Sequence, residues 1–459
     1  MKQQAILAPI DGTPITEAAF VPQGRPYQVC TRCVMDTTDP DITFDQAGVC
    51  NHCYYFDNNV KPAWPEPEEG ARLLEEMIAK VKSYGEGKQY DCIIGLSGGI
   101  DSSFVAVKAV EWGLRPLVVH VDAGWNSELA VMNIEQICKR LGLDLVTHVV
   151  DWEEMQDMQL AFLRSNLANQ DVPQDHAFFA ALYGYATQAG IKYVINGSNY
   201  ATESILPQSW GYDAMDATHV KAIHKRFGGR GRGHFPVVSF WDLYFRYPLI
   251  LKMEVLRPLN YIPYSKEEAI RILEREYGWR YYGGKHYESR WTRWFQAYYL
   301  PHKFGYDKRK AHLASLVVSG QMTRDQALAE LRKPLYDEKM LAEDKAFIAK
   351  KLGLTVDELE GLISAPPRHY SEFPNHQRKL KIAFSAYGKL RNWHAQWQSM
   401  RQQGLLISLF RRPLAWGQRL LYVLTRPFKL VLGVGLRTLG RVRRLSARVA
   451  HRVKRMFVS

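Results

Sequence analysis

No apolar run of about eighteen residues occurs in this 459-residue chain, so its sequence predicts no membrane-spanning helix. The N-terminal segment lacks a cationic start followed by an apolar stretch and a small-residue end, which predicts no secretory signal and a cytoplasmic setting. That setting disfavours disulfides among the six cysteines. The glycine-rich loop near residue 98 has neither the Gly-Lys-Ser/Thr ending of a Walker loop nor G-x-G-x-x-G spacing, so both common nucleotide cradles are excluded. Acidic residues are missing from Arg401 to Ser459, where fourteen Lys and Arg stand. The net charge of +13 therefore belongs to the tail, and the body is close to neutral. A neutral body lacks the basic face that nucleic-acid binding demands, so no nucleic-acid partner is expected.

What is present is more specific. The apolar Cys92-Ile93-Ile94-Gly95-Leu96 launches Ser97-Gly98-Gly99-Ile100-Asp101-Ser102-Ser103. Paired glycines let the backbone approach a ligand closely, and the hydroxyls and amides can donate to phosphate oxygens. A helix starting directly afterwards would turn its positive end toward the loop. Together these predict a polyphosphate cradle. The Ser-Gly-Gly-x-Asp-Ser order resembles the pyrophosphate loop of N-type ATP pyrophosphatases, which include asparagine synthetase, GMP synthetase and the tRNA thiolation enzymes. That resemblance implies ATP cleavage between the α and β phosphates and adenylation of a substrate oxygen.

Four cysteines form Cys30-x2-Cys33 and, sixteen residues later, Cys50-x2-Cys53. Two such knuckles offer four soft thiolates to a tetrahedral zinc ion and leave no open position, which predicts a structural site. Asn51-His52 reads as a turn within the second knuckle. Pro62, Pro65 and Pro67 precede a helical stretch at about 71–82, a connector.

From Tyr90 the pattern predicts strand 90–96, helix 102–112, strand 117–121, helix 127–141, strand 144–150, helices to 189 and strand 193–195. This alternation predicts an α/β fold with a parallel sheet between helical layers. With the loop's resemblance it reads as an adenine nucleotide α-hydrolase-like (PP-loop) domain, preceded by a four-cysteine zinc knuckle and followed by a helical region. The expected organisation is a knuckle segment at 1–60, the PP-loop domain at 61–258, a helical substrate or partner region at 259–400 and a basic tail at 401–459. Three polar turns follow the strands: the Ser97 loop, Asp122-Ala123-Gly124-Trp125-Asn126 and Asn196-Gly197-Ser198-Asn199. Ligands of open parallel sheets bind outside the strands' carboxyl ends, where these turns should converge.

Several strings in one order extend the resemblance across about residues 27–365. They are Cys30-Thr31-Arg32-Cys33-Val34-Met35-Asp36, Gly48-Val49-Cys50-Asn51-His52-Cys53, the Ser97 loop, His120 to Ser127, Asp151-Trp152-Glu153-Glu154 and Asp175-His176-Ala177. Gly197 to Glu203, Lys221 to Lys225, Gly283 to Glu288 and Asp307-Lys308-Arg309 complete the set. Taken together they resemble the N-acetyl sugar amidotransferase family of surface-polysaccharide biosynthesis, lipopolysaccharide included.

The resemblance implies conversion of a sugar acetamido group into an acetamidino group. Adenylation makes the acetamido oxygen a leaving group, ammonia adds to the resulting imidate carbon, and AMP and pyrophosphate are released. It implies Mg²⁺ on Asp101 and β and γ phosphates held by Ser97, Gly98, Gly99, Ser102 and Ser103. Asp122 and Asn126 fit either adenosine contacts or a strand-to-helix turn. Gly197, Ser198, Asn199 and Glu203 fit either the acetamido sugar or a helix cap. Cations for pyrophosphate and a nucleotide-activated sugar are sought among His224, Lys225, Lys308 and Arg309, with Lys285, His286 and Lys303 as catalytic candidates beside Asp101.

No nucleophilic cysteine is left for a glutaminase, so the family resemblance implies ammonia from a separate glutaminase subunit, in some members with a cyclase-like partner. The rival reading, a tRNA-thiolation enzyme, needs catalytic thiols or an iron-sulfur cluster. Here Cys92 falls in a buried strand and Cys138 in a helix expected at the surface.

In the tail, Arg437, Arg441, Arg444, Arg448, Arg452 and Arg455 recur at helical spacing beside Leu439, Val442, Leu445, Val449, Val453 and Met456. Such a segment fits peripheral contact with the inner face of the cytoplasmic membrane, or a helix docked on the body or on a partner.

Overall fold

The computed structural model describes residues 25–230, 233–283, 287–377, 379, 380 and 385. The tail beyond 400 and two catalytic candidates, Lys285 and His286, lie outside the described residues. One compact unit comprises the described residues up to Val238 together with Glu254–Pro374. A second contains Ser239–Met253 and the described residues from Asn375 onward.

The first unit is built on five parallel strands, β1 Cys92–Gly95, β2 Pro116–Asp122, β3 Leu145–Val149, β4 Tyr193–Ile195 and β5 Glu254–Leu256. Their order is β3-β2-β1-β4-β5. The first four strands fall where the apolar runs predict them. β5 is an addition to that expectation, because three residues carry no readable period.

The innermost strand, β1, has Cys92, Ile93 and Ile94 fully buried, which is why its sequence is a continuous apolar run. β3 lies on an edge and keeps Val149 68% exposed. The chain builds outward from β1 through β2 to β3, then returns to add β4 and β5 on the other side. This reversal makes the carboxyl ends of β1 and β4 the crevice where an open parallel sheet binds ligands.

Helices Pro67–Tyr84, Ile100–Glu111, Glu128–Leu141, Trp152–Ser165 and Val172–Gln188 connect or flank the strands. Ser127 and Asp151 cap the third and fourth of these, accepting from the amides of Ala130 and Glu154. Cys138 departs from its expected surface position. It lies on the buried side of Glu128–Leu141, in the same apolar cluster as Cys92. Burial pushes the Cys138 thiol up to about 11 and that of Cys92 well above its ordinary range, so neither supplies a thiolate at neutral pH.

The cysteine knuckles form a second apolar centre with Met35, Ile42, Trp210, Ala311, Leu313 and Ala327. A buried ion pair between Lys310 and Asp36, with Tyr27 donating to the same carboxylate at 2.8 Å, ties the knuckle to helix Lys308–Val318. Arg324 donates to the carbonyls of Cys30 and Cys33 at 2.9–3.1 Å.

His120, on β2, sets a pH response for this unit. Its Nδ1 lies 3.0 Å from the Leu96 carbonyl and its Nε2 3.1 Å from Asn126 Nδ2. The Nδ1–H tautomer satisfies both contacts, donating to the carbonyl and accepting from the amide. Burial lowers its pKa below the ordinary 6.5, and burial does the same to His176. Both rings fold neutral but are protonated when unfolded in acid, so their contribution is full above the unfolded value and lost as pH falls through and below it. The urea midpoint should therefore fall between about pH 7 and pH 5, and His120→Asn should flatten part of that fall. An identical slope in wild type and variant would remove His120 from the account.

Candidate active site at the strand ends

The Ser97 loop closes on itself through hydroxyl groups. Ser97 Oγ and Ser102 Oγ lie 3.1 Å apart, the Ser97 amide donates to Ser102 Oγ at 3.3 Å, and the Gly99 amide donates to Ser97 Oγ at 3.2 Å. Gly98 has φ +81°, and a Cβ there would stand 2.7 Å from the Ala130 carbonyl oxygen, so glycine is required on two counts. Ser103 departs from the expectation that it cradles phosphate: its side chain is fully buried on the core side of helix Ile100–Glu111.

Asp101 sits at the switch point. Its Oδ1 accepts from the Tyr264 hydroxyl and from Asn199 Nδ2 at 3.3 Å. Burial, then the Asp101 carboxylate, with a lesser contribution from Glu203, holds the Tyr264 phenol far above its usual range, so it keeps its proton and acts as donor. Asn199 accepts from the Thr202 amide at 2.9 Å, capping helix Tyr200–Glu203, while its Nδ2 serves Asp101 and the Gly197 carbonyl. The helix-cap reading of Asn199 thus holds, and the same side chain orients Asp101. Ser198 lies in this turn, its amide on Asn196 Oδ1 at 2.7 Å.

A Cβ on Gly197 would lie 2.7 Å from the carbonyl carbon and oxygen of Asp101. Gly197→Ala must therefore push the β4 turn away from the phosphate loop. Displacement on the order of 1 Å costs about 10²-fold in rate at a site that works by positioning. Under the ATP-cleaving role that the loop's resemblance implies, pyrophosphate release should fall by that factor while the circular dichroism melt stays cooperative. Unchanged turnover would mean that the two turns need not touch.

The third turn joins the same place. Asp122 Oδ1 accepts from the Gly124 amide at 2.8 Å and from Asn126 Nδ2 at 3.1 Å, so both side chains shape the turn. Asn126 also bridges to Ser289. Ser127 donates its amide to the Glu288 carbonyl at 2.8 Å, and the Arg290 amide donates to the Trp125 carbonyl at 2.9 Å. This short zipper delivers Glu288, whose Oε1 lies 3.3 Å from where a Gly99 Cβ would project.

The expected cations distribute differently. Lys303 is buried, and its ammonium donates to Asn166 Oδ1 and the carbonyls of Leu362, Ile363 and Ala365, closing the end of helix Val356–Ser364. Its pKa is lowered to about 8 by burial. Its catalytic assignment is corrected accordingly, since its donors are spent on the fold. His224 Nε2 meets Asp157 at 2.8 Å, and the same carboxylate holds the amides of Gly229 and Arg230. Lys225, the next residue on helix Ala217–Phe227, is exposed. Arg309 pairs with Asp307 at 2.8 Å and donates to the Lys333 carbonyl, and Lys308 opens helix Lys308–Val318. Sequence reasoning assigns no role to Tyr264, Trp279 or Tyr282, and Glu288 enters only within a resemblance string. The three aromatic residues meet the loop across more than 160 residues of chain, a separation no local pattern reveals.

The four knuckle sulfurs could hold a metal. Three of their six separations are 3.6, 3.7 and 3.9 Å, and all four sulfurs lie within 4.8 Å of one another. A tetrahedron with Zn–S bonds of about 2.3 Å has edges of about 3.8 Å, so the donor set fits zinc. His52 is engaged with Asp39 at 2.6 Å, and it lies in helix Asn51–Tyr55 rather than in the turn expected there.

A parallel sheet of order 3-2-1-4-5 with this loop at its switch point defines a PP-loop fold. Residues 288–388 match the family described as LPS biosynthesis protein WbpG-like, C-terminal domain. A tRNA(Ile)-lysidine synthase of Chlamydia pneumoniae is 29% identical over 136 residues, which are 29% of this chain and 40% of that protein, so the chain spans about two fifths of this relative's length. Among solved structures, an NH3-dependent NAD synthetase from Campylobacter jejuni is 20% identical over 45% of this chain and 83% of its own, with a TM-score of 0.25. An NMN synthetase from Francisella tularensis is 17% identical over 48% and 89%, with a TM-score of 0.24. No helix among the described residues is long and apolar enough to cross a membrane.

Proposed function

We propose that this chain is an ATP-dependent amidotransferase of lipopolysaccharide or other surface-glycan biosynthesis. In this reading the acetamido oxygen of a nucleotide-activated N-acetyl sugar attacks the α phosphorus of ATP and pyrophosphate leaves. Ammonia from a partner glutaminase then adds to the imidate carbon, and AMP departs with the former acetamido oxygen. The observation that carries it is Asp101, oriented by Tyr264 and Asn199 at the switch point and flanked by the hydroxyl-closed Ser97 loop. The WbpG-like domain supports the pathway assignment.

Asp101 is the residue to hold Mg²⁺, which when bound offsets phosphate charge. The four cysteines would hold a structural zinc ion. The chain's own work is positional: loop amides and hydroxyls bind phosphate, and the Asn126–Ser289 bridge brings the WbpG-like domain to the nucleotide. A sulfur-transfer reading finds no support in Cys92 and Cys138, both buried.

The deciding assay combines full-length protein, Mg-ATP, ammonium and a panel of nucleotide-activated acetamido sugars, with tRNA as a further arm. Sugar-stimulated pyrophosphate release with a product in which oxygen has become NH is expected. Stimulation by tRNA alone would reject the sugar assignment.

A further inference from the structure

We propose that Tyr282 is a phosphate ligand of the ATP site, supplied from 182 residues along the chain from the Ile100 amide. The inference rests on the ATP reading of the Ser97 loop. The Tyr282 hydroxyl accepts the Ile100 N–H at 3.3 Å. It also lies 3.4 Å from where a Cβ on Gly99 would project, in company with Ser97 Oγ at 3.1 Å and Glu288 Oε1 at 3.3 Å. Ile100 opens helix Ile100–Glu111, and the first amides of a helix have no partner within it. After a Gly-Gly turn, those amides are the groups a phosphate oxygen engages. A phenol oxygen bonded to one of them occupies a phosphate's position.

The placement is fixed from both sides. Trp279, almost fully buried, donates its indole N–H to the Gly98 carbonyl at 2.9 Å, and its ring meets that of Tyr282 edge-on at 5.6 Å. The Trp279 to Tyr282 segment is thereby registered against the loop at two successive peptide units. Burial and the nearby Glu288 carboxylate hold the Tyr282 phenol well above its ordinary range, so it carries its proton throughout the neutral region.

An oxygen that accepts from an amide still has its own O–H to give. When a phosphate oxygen takes the Ile100 N–H, the phenol can turn from acceptor to donor toward the same anion. It then supplies an uncharged donor to a loop that lacks the Walker lysine.

Calorimetric titration of full-length wild type and Tyr282→Phe with Mg-ATP, inorganic pyrophosphate and AMP tests the assignment. Phenylalanine keeps the ring on Trp279 and removes only the hydrogen bond from the Ile100 N–H, so the melting temperature without ligand should fall by no more than about a few degrees. ATP and pyrophosphate should each bind roughly tenfold more weakly, the loss of one hydrogen bond to a charged group, and AMP should bind as before. Tyr282→Ser, whose hydroxyl cannot reach Ile100, should weaken ATP at least as much. Unchanged ATP affinity in Tyr282→Phe, or equal weakening of ATP and AMP, overturns the proposal. Failure of the wild type itself to bind ATP overturns the reading on which it rests.

Discussion

Asp101→Asn should lower ATP-dependent pyrophosphate release by about 10³-fold, the scale expected when a charge-stabilising group is lost from a phosphoryl-transfer site. The substitution is nearly isosteric. Its Oδ1 can still accept from Tyr264 and Asn199, the two donors that orient the native carboxylate. What disappears is the negative charge, and with it the hard anionic ligand that Mg²⁺ prefers. The thermal midpoint should therefore stay close to wild type, and AMP should still bind. Tyr264→Phe provides the complementary measurement. It leaves the charge but removes one of its orienting donors, so the Mg²⁺ concentration for half-maximal activity should rise while the reaction survives. An Asp101→Asn protein that releases pyrophosphate at the wild-type rate would remove the Ser97 loop from the chemistry altogether.

The second large effect concerns stability. Replacing Cys33 by Ser, or stripping metal with a strong chelator, should lower the melting temperature by roughly 10 °C or more, since structural zinc contributes many kcal/mol to small cysteine sites. The loss should spread beyond the N-terminal segment. Cys30, Cys33, Cys50 and Cys53 share an apolar cluster with Ala311, Leu313 and Ala327, and Arg324 is bonded to two knuckle carbonyls. Protease digestion should therefore open helices Lys308–Val318 and Arg324–Leu331 together with the knuckle. The native protein should carry one zinc per chain by elemental analysis. A metal-free wild type with an unaltered melt would show that the cluster needs no ion.

How much of this is legible in the sequence depends on the range of the interaction. Strands β1 to β4 and their helices are legible because continuous apolar runs and amphipathic periods are local signals. The phosphate loop is legible for a similar reason: its glycines, hydroxyls and carboxylate are consecutive. The knuckles are legible from spacing alone. Lys303 is misassigned because a lysine beside aromatic residues looks the same in sequence whether it faces a ligand or closes a helix. Only the carbonyls of Leu362, Ile363 and Ala365, some sixty residues away, decide between those roles. Ser103 is misassigned for another, local reason. One step along a helix turns a side chain by about 100°, so its neighbour Ser102 meets the loop while Ser103 meets the core. Tyr264, Trp279 and Tyr282 carry no motif, and they acquire their roles only when the chain returns to the strand ends.

The backbone zipper between residues 125–127 and 288–290 has a consequence for engineering and for descent. The segment that matches the WbpG-like domain begins at residue 288, inside that zipper. A chimera cut at this boundary would disturb hydrogen bonds that shape the turn after β2. Exchanging acceptor preference between relatives should therefore succeed only when the graft carries its own partner for Trp125 to Ser127, and the two halves should change sequence in concert where they meet.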